Sequence, residues 1–176
     1  MQAMKSEIKS YPVPARLATT TDLTPQEVKA ITEAVNPLIA DSFALYVKTK
    51  NFHWHLSGSH FRDYHLLFDE QADLIFDSID VMAERVRKVG GTTIRSISHI
   101  SQLQTIEDDN DDEVPAGEMV KRLMEDNLHI AKMIRAAIPV CDKNRDSATS
   151  NQLQDILDKI ERNKWFLSQI MQGQER

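Results

Sequence analysis

Residues 61–91 read FRDYHLLFDEQADLIFDSIDVMAERVRKVGG, and this stretch decides the fold. Phe68, Ala72, Ile75, Ile79, Met82 and Val86 recur at alternating steps of four and three residues. That is the period of one apolar stripe on a helix. The pattern predicts a helix from Phe61 to about Val89, ended by Gly90-Gly91. A second set of side chains follows a different line on the same rod. On a wheel of about 100° per residue with His65 at zero, Asp69 falls near 40°, Asp80 near 60° and Glu84 near 100°. The apolar stripe centres near 300° on that wheel, and Phe76 and Ala83 lie close to His65. One histidine and three carboxylates therefore share a face that is not the core face. Acids interleaved with apolar residues read as a contact surface; a solvated acidic face is the plain alternative.

Distance along the axis sharpens this. His65 and Asp69 are one turn apart, as are Asp80 and Glu84. The two pairs are separated by about 16 Å at a rise of 1.5 Å per residue. No single ion bridges that gap within one chain. Two copies packed antiparallel about a two-fold axis bring the His65/Asp69 end of one against the Asp80/Glu84 end of the other, and generate two equivalent sites. His53 ends the preceding helix across a short Ser57-Gly58-Ser59 break, placed to join the His65/Asp69 half. Flanking Trp54, His53 and His55 also read as a packed aromatic patch. Two histidines and three carboxylates make a hard N/O donor set. It suits Fe(II), admits Mn(II) or Zn(II), and is unlike a thiolate zinc site.

The rest of the chain supplies more helices. Thr24-Pro25-Gln26-Glu27 is a capping box with proline at the first helical position. Val28, Ile31, Val35, Leu38 and Leu45 continue the helix it opens, and Pro37 predicts a kink or a later start. A third long helix is expected over about 115–141, with Val120, Leu123, Ile130, Ile134 and Ala137 inward. A fourth is expected over about 147–171, with Leu153, Ile156, Ile160, Leu167 and Ile170 inward. Residues 91–114 form a long connection with a short helix near Ile97 to Leu103. Two hairpins joined by one long crossover give an all-α, ferritin-like four-helix bundle. The expected organisation is a flexible N-terminal tail over 1–23, the bundle over 24–172 and a short C-terminal tail over 173–176.

Composition sets the outer bounds. A net charge of −6 does not favour a nucleic-acid binder. The single cysteine, Cys141, excludes an internal disulfide framework and fits a reducing compartment, with a small core residue its expected role. No apolar run reaches the roughly 20 residues of a membrane span, and the N-terminus lacks a secretory apolar stretch. A cytoplasmic location without membrane contact is expected.

Specific motifs go further. The run Lys48-Thr49-Lys50-Asn51-Phe52-His53-Trp54-His55, followed by Gly58, Phe61, His65 and Asp69, resembles the Dps family, the miniferritins of the ferritin-like superfamily. So do Asp80-Val81-Met82-Ala83-Glu84-Arg85-Val86, Gly90-Gly91 and Lys164-Trp165-Phe166. The match covers roughly residues 25–172. The resemblance implies ferroxidase ligands His53, His65 and Asp69 from one subunit, with Asp80 and Glu84 from its two-fold mate. It implies a hollow homo-dodecamer that oxidises Fe(II) to Fe(III), preferably with hydrogen peroxide, with O2 as the other oxidant. Ferric mineral is stored inside, and DNA is protected from oxidative damage. Direct DNA binding is a separate expectation, resting on Lys5, Lys9 and Arg16 of twelve tails acting together, which would make the protein nucleoid-associated. Glu7, Asp22 and the net charge oppose it. A nucleoid protein with DNA binding dominant over iron oxidation is thus the alternative.

A ferritin with a di-iron centre inside each bundle is a third reading. It calls for Glu-x-x-His on two helices, and the chain has only Asp126 and His129 as an echo, with Glu125 nearby. A surface or packing role for His129 is favoured. His55 and His60 read as plain polar groups, and the acidic run 107–113 as a solvated loop. Asp142, Asp146 and Asp155 are candidates for iron pores.

Overall fold

The computed structural model describes residues 13–174, and side chains as far as residue 172. The expectations for Lys5 and Lys9 lie outside the described residues. Among the described residues, five α-helices follow a 3-10 turn at Ala15–Leu17: α1 Pro25–His55, α2 Phe61–Lys88, α3 Ile97–Leu103, α4 Ala116–Lys143 and α5 Ser147–Gln174. The four long ones form the bundle, and α3 sits in the crossover against α1.

Local chemistry explains each boundary. Thr24 accepts from the Glu27 backbone N–H, and the Glu27 carboxylate accepts from the Thr24 N–H at 2.7 Å, closing the capping box. The Arg145 guanidinium binds the same carboxylate at 2.8 Å and, with Thr24, holds the Glu27 pKa down to about 2. Arg145 also reaches the Asp22 carbonyl, while Thr19 donates to the Arg87 carbonyl and Arg87 to that of Leu17. The described part of the N-terminal segment is therefore hydrogen-bonded to the bundle. The helix α1 starts at Pro25 and runs through Pro37 unbroken, so the later start does not occur. Proline leaves the carbonyl four residues back without a donor. That carbonyl belongs to exposed Glu33, where water can serve it. Pro139 inside α4 is tolerated in the same way, since Arg135 is exposed.

The end of α2 is a Schellman motif. Gly91 N–H donates to Val86 O and Gly90 N–H to Arg87 O, with Gly90 at φ +98°. Gly91 also permits a close approach to α1. A Cβ there would lie 2.2 Å from Thr32 Oγ1 and 3.0 Å from Val86 Cγ1. Gly91→Ala is expected to destabilise the protein by about 1–3 kcal/mol through overpacking. A thermal midpoint at or above that of the parent would contradict this.

Packing follows the apolar stripes. Every stripe residue of α2 from Phe68 to Val86 is buried, as are the inward residues expected on α4. On α5, Leu153, Ile156, Ile160 and Leu167 are buried, and Ile170 packs against the core at its edge. Cys141 is fully buried and its thiol is pushed up to about 11, chiefly by burial, so it is inert packing. Both α2 and α4 run antiparallel to α1: residues 50 and 53 of α1 meet 69 and 65 of α2, and residues 41 and 48 of α1 meet 129 and 126 of α4. They therefore point the same way, and the chain between them must return along the full length of the bundle. That is the physical reason for the long crossover.

Candidate metal centre

At the α1/α2 turn, His53 and His65 stack with ring centroids 3.7 Å apart. Their bonding is reciprocal. His53 Nδ1 lies 2.8 Å from the His65 carbonyl, and His65 Nδ1 lies 3.0 Å from the His53 carbonyl. A carbonyl only accepts, so each Nδ1 carries a proton, and the lone pair of the neutral form of each ring is on Nε2. This is the tautomer a metal-binding histidine needs, with the second nitrogen anchored. The sequence folds this way because α1 and α2 are a tight antiparallel pair, and the turn holds two backbone carbonyls opposite two imidazoles.

Asp69 lies one turn beyond His65 on α2. Its Oδ1 is 3.8 Å from His53 Nε2 and 2.5 Å from Lys50 Nζ. The Lys50 hydrogen bond holds the Asp69 carboxyl below its ordinary range, and Asp69 in turn raises the Lys50 ammonium. Asp69 is thus an anion, half-exposed, with a protein cation in place on one oxygen. Phe61 stacks on His65 at 5.0 Å between centroids.

Asp80 and Glu84 lie further along α2 and are exposed. Lys88 bonds Glu84 at 2.7 Å and lowers its carboxyl pKa. Between the two clusters the helix presents Phe76, 52% exposed although it touches the Tyr46 ring, and half-buried Ala83. Among the described residues, no group of three or more His, Cys, Asp or Glu side chains within one chain is arranged to hold a metal ion. The structure brings His53, His65 and Asp69 together and leaves Asp80 and Glu84 apart from them.

Comparison with known proteins places this arrangement. A family model of the ferritin-like domain matches residues 32–176. The DNA protection during starvation protein 1 of Deinococcus radiodurans is 30% identical over 146 residues, covering 83% of this chain and 70% of that protein. The chain belongs to the Dps family. An uncharacterised low-temperature-induced protein of Nostoc is 32% identical over 153 residues, covering 86% of each chain. The crystal structure of a Dps protein from Bacillus brevis superposes with a TM-score of 0.80 at 28% identity, covering 85% of this chain and 99% of that one. The bundle is therefore the Dps form of the ferritin-like fold.

Other polar candidates of this Dps chain have structural partners. Asp146 is buried, paired with Arg85 at 2.8 Å, and caps α5 through the Thr149 N–H at 3.0 Å. It is committed to the helix start and is withdrawn as a pore candidate. Lys48 pairs with Asp126 at 2.6 Å, so the Asp126 echo of an intra-bundle site already has its counter-ion; burial pushes that carboxyl up. His129 approaches Thr105 Oγ1 at 2.7 Å in a packing role on the crossover. In the acidic loop, Arg122 gathers Asp109, Asp111 and Glu118, which makes the segment an ion-pair network rather than a purely solvated run. Sequence reasoning missed Lys50 as a partner of Asp69. The signal was its placement three residues before His53, on the side of α1 that faces α2. No helix among the described residues is long and apolar enough to cross a membrane.

Proposed function

We propose that this Dps chain is a ferroxidase and iron store, with Fe(II) bound and oxidised at sites shared by two copies. The observation that carries the reading is the reciprocal His53/His65 hydrogen bonding, which leaves two Nε2 lone pairs beside ionised Asp69. Asp80 and Glu84 of a two-fold mate complete the donor set, and exposed Phe76 with half-buried Ala83 supplies the apolar contact between mates. The donors suit Fe(II), and the carboxylates favour Fe(III) once formed. Hydrogen peroxide takes one electron from each of two ferrous ions, its O–O bond breaks, and both oxygens end as water or hydroxide. Ferric ions then hydrolyse to oxyhydroxide and release protons, which solvent removes. Peroxide consumed in this way forms no hydroxyl radical, so DNA is spared by chemistry alone. The name of the Deinococcus relative supports that outcome. A hollow homo-dodecamer in the cytoplasm is the assembly that stores the mineral.

Two measurements test this. Light scattering should give twelve times the chain mass, and Fe(II) with peroxide should oxidise rapidly and leave soluble ferric protein. A smaller assembly with oxidation no faster than in buffer would overturn the proposal.

The Lys50 ammonium occupies the Asp69 oxygen nearest His53, so an incoming cation competes with it. Lys50→Gln is expected to tighten Co(II) binding by about fivefold, equivalent to roughly 1 kcal/mol for one partly exposed ion pair. Titration by cobalt absorbance measures it; weaker binding would mean that Lys50 instead positions Asp69.

A further inference from the structure

Among the buried residues of the four long helices are four uncharged polar side chains, none more than 1% exposed and each on a different helix: Thr49, Gln71, Asn127 and Asn163. Neighbouring contacts fix their relative height. Lys48 pairs with Asp126 at 2.6 Å, and the next residues are Thr49 and Asn127. Glu70 pairs with Arg162 at 2.9 Å, and the next residues are Gln71 and Asn163. Gln71 Nε2 donates to the Asn163 carbonyl at 3.3 Å. The Lys50–Asp69 pair sets Thr49 across from Gln71. On antiparallel helices the next residues step apart by about 3 Å, so the four side chains lie within about one helical turn of each other along the bundle axis.

Their hydrogen bonds do not balance. Thr49 donates to its own helix at Leu45 O, and Asn127 Nδ2 to Leu123 O. Gln71 Oε1, Asn127 Oδ1 and both side-chain atoms of Asn163 are buried with no hydrogen-bond partner among the described residues. Three acceptors and one donor group are thus left unpaired. Each amide NH2 carries two hydrogens, so the shortfall is one of reach: as the side chains are placed, no donor among the described residues reaches Gln71 Oε1, Asn127 Oδ1 or Asn163 Oδ1, and no acceptor reaches Asn163 Nδ2. Buried polar groups in native proteins are satisfied, by water where protein groups fall short. A bound cation answers the oxygens but orphans Asn163 Nδ2 and buries a charge with no counter-ion, which is far more costly.

We propose that Thr49, Gln71, Asn127 and Asn163 form a polar layer that holds ordered water at the centre of the bundle. A water molecule accepts from Asn163 Nδ2 and donates to two of the amide oxygens, and Thr49 Oγ1 offers a further acceptor. The site is separate from the α1/α2 metal centre and takes a small neutral hydrogen-bonding molecule rather than an ion.

The test is a crystal structure of the full chain at a resolution that shows ordered water. Density is expected within hydrogen-bonding distance of the Asn163 side chain and of the Gln71 or Asn127 amide oxygen. Amides packed directly on one another, with no density between them, would overturn the proposal, as would a cation there. Asn163→Leu removes the donor while keeping the same branched arrangement of heavy atoms. Its thermal midpoint is expected to fall, because the water and its remaining partners lose a bond; a rise would show that the amide had been carried unsatisfied. Should that variant fail to fold, Asn127→Leu gives the same reading with Asn163 intact.

Discussion

Asp80→Ala and Glu84→Ala are each expected to slow peroxide-driven Fe(II) oxidation on the order of 100-fold, since removing a direct donor costs at least as much as removing its supporting hydrogen bond. Neither change threatens the fold. Asp80 is exposed, Glu84 pairs with Lys88 on its own helix, and alanine favours helix. Wild-type rates in both variants would sink the proposal. A mixing experiment then separates a shared site from one confined to a chain. His65→Ala and Glu84→Ala chains are each inactive alone. A two-fold pair containing one of each has both lesions at one site and none at the other. Random reassembly after unfolding therefore restores about a quarter of the sites. A site confined to one chain regains nothing, because every chain carries a lesion. Recovery near zero, with assembly verified by light scattering, would end the two-chain geometry while leaving iron oxidation itself to be judged from the parent protein.

Much of this was legible in the sequence because it is periodic or local. The α2 stripe from Phe68 to Val86 needed only its spacing, and all six residues are buried. Thr24 and Glu27 are three residues apart and cap each other as the pattern implies. Proximity of His53 to His65 followed from two helices and a short turn. What spacing does not carry is the identity of partners across helices. Lys50 meets Asp69, Lys48 meets Asp126 and Arg85 meets Asp146, each pair depending on rotation of one helix against another. The buried Gln71 and Asn163 are of the same kind. A polar residue inside an apolar stripe reads as surface until the neighbouring helices are placed. Pro37 brought no later start, because its missing donor matters only where the freed carbonyl is shut away from water.

Asp41→Ala is the change expected to cost most stability. Asp41 is fully buried on α1, yet it belongs to none of the apolar stripes. Its Oδ1 accepts from the Thr105 N–H at 2.5 Å and the Ile106 N–H at 3.0 Å, and its Oδ2 from the Thr105 hydroxyl at 2.8 Å. One carboxylate thereby fixes the crossover to α1 just after α3, and seats Ile106 in the core. That connection returns along the whole bundle, so a mid-course anchor decides whether it packs or drifts. Alanine removes all three acceptor contacts and leaves two backbone N–H groups in partly or fully buried positions. At about 1–3 kcal/mol for each buried donor left unmet, and allowing for some access of water at Thr105, the loss is about 2–4 kcal/mol. For a chain of this size that lowers the thermal midpoint by roughly 5–12 °C. Asn at the same position keeps one oxygen for both backbone N–H groups and sets its amide against the Thr105 hydroxyl, which can turn to accept, so it should recover most of the loss. Hydrogen exchange gives the local reading: the amides of Thr105 and Ile106 should lose protection in Asp41→Ala before those of α2 and α5 do. A midpoint within about 2 °C of the parent, with those amides still protected, would mean that apolar packing of Ile106 alone holds the crossover, since such a shift is below about 1 kcal/mol.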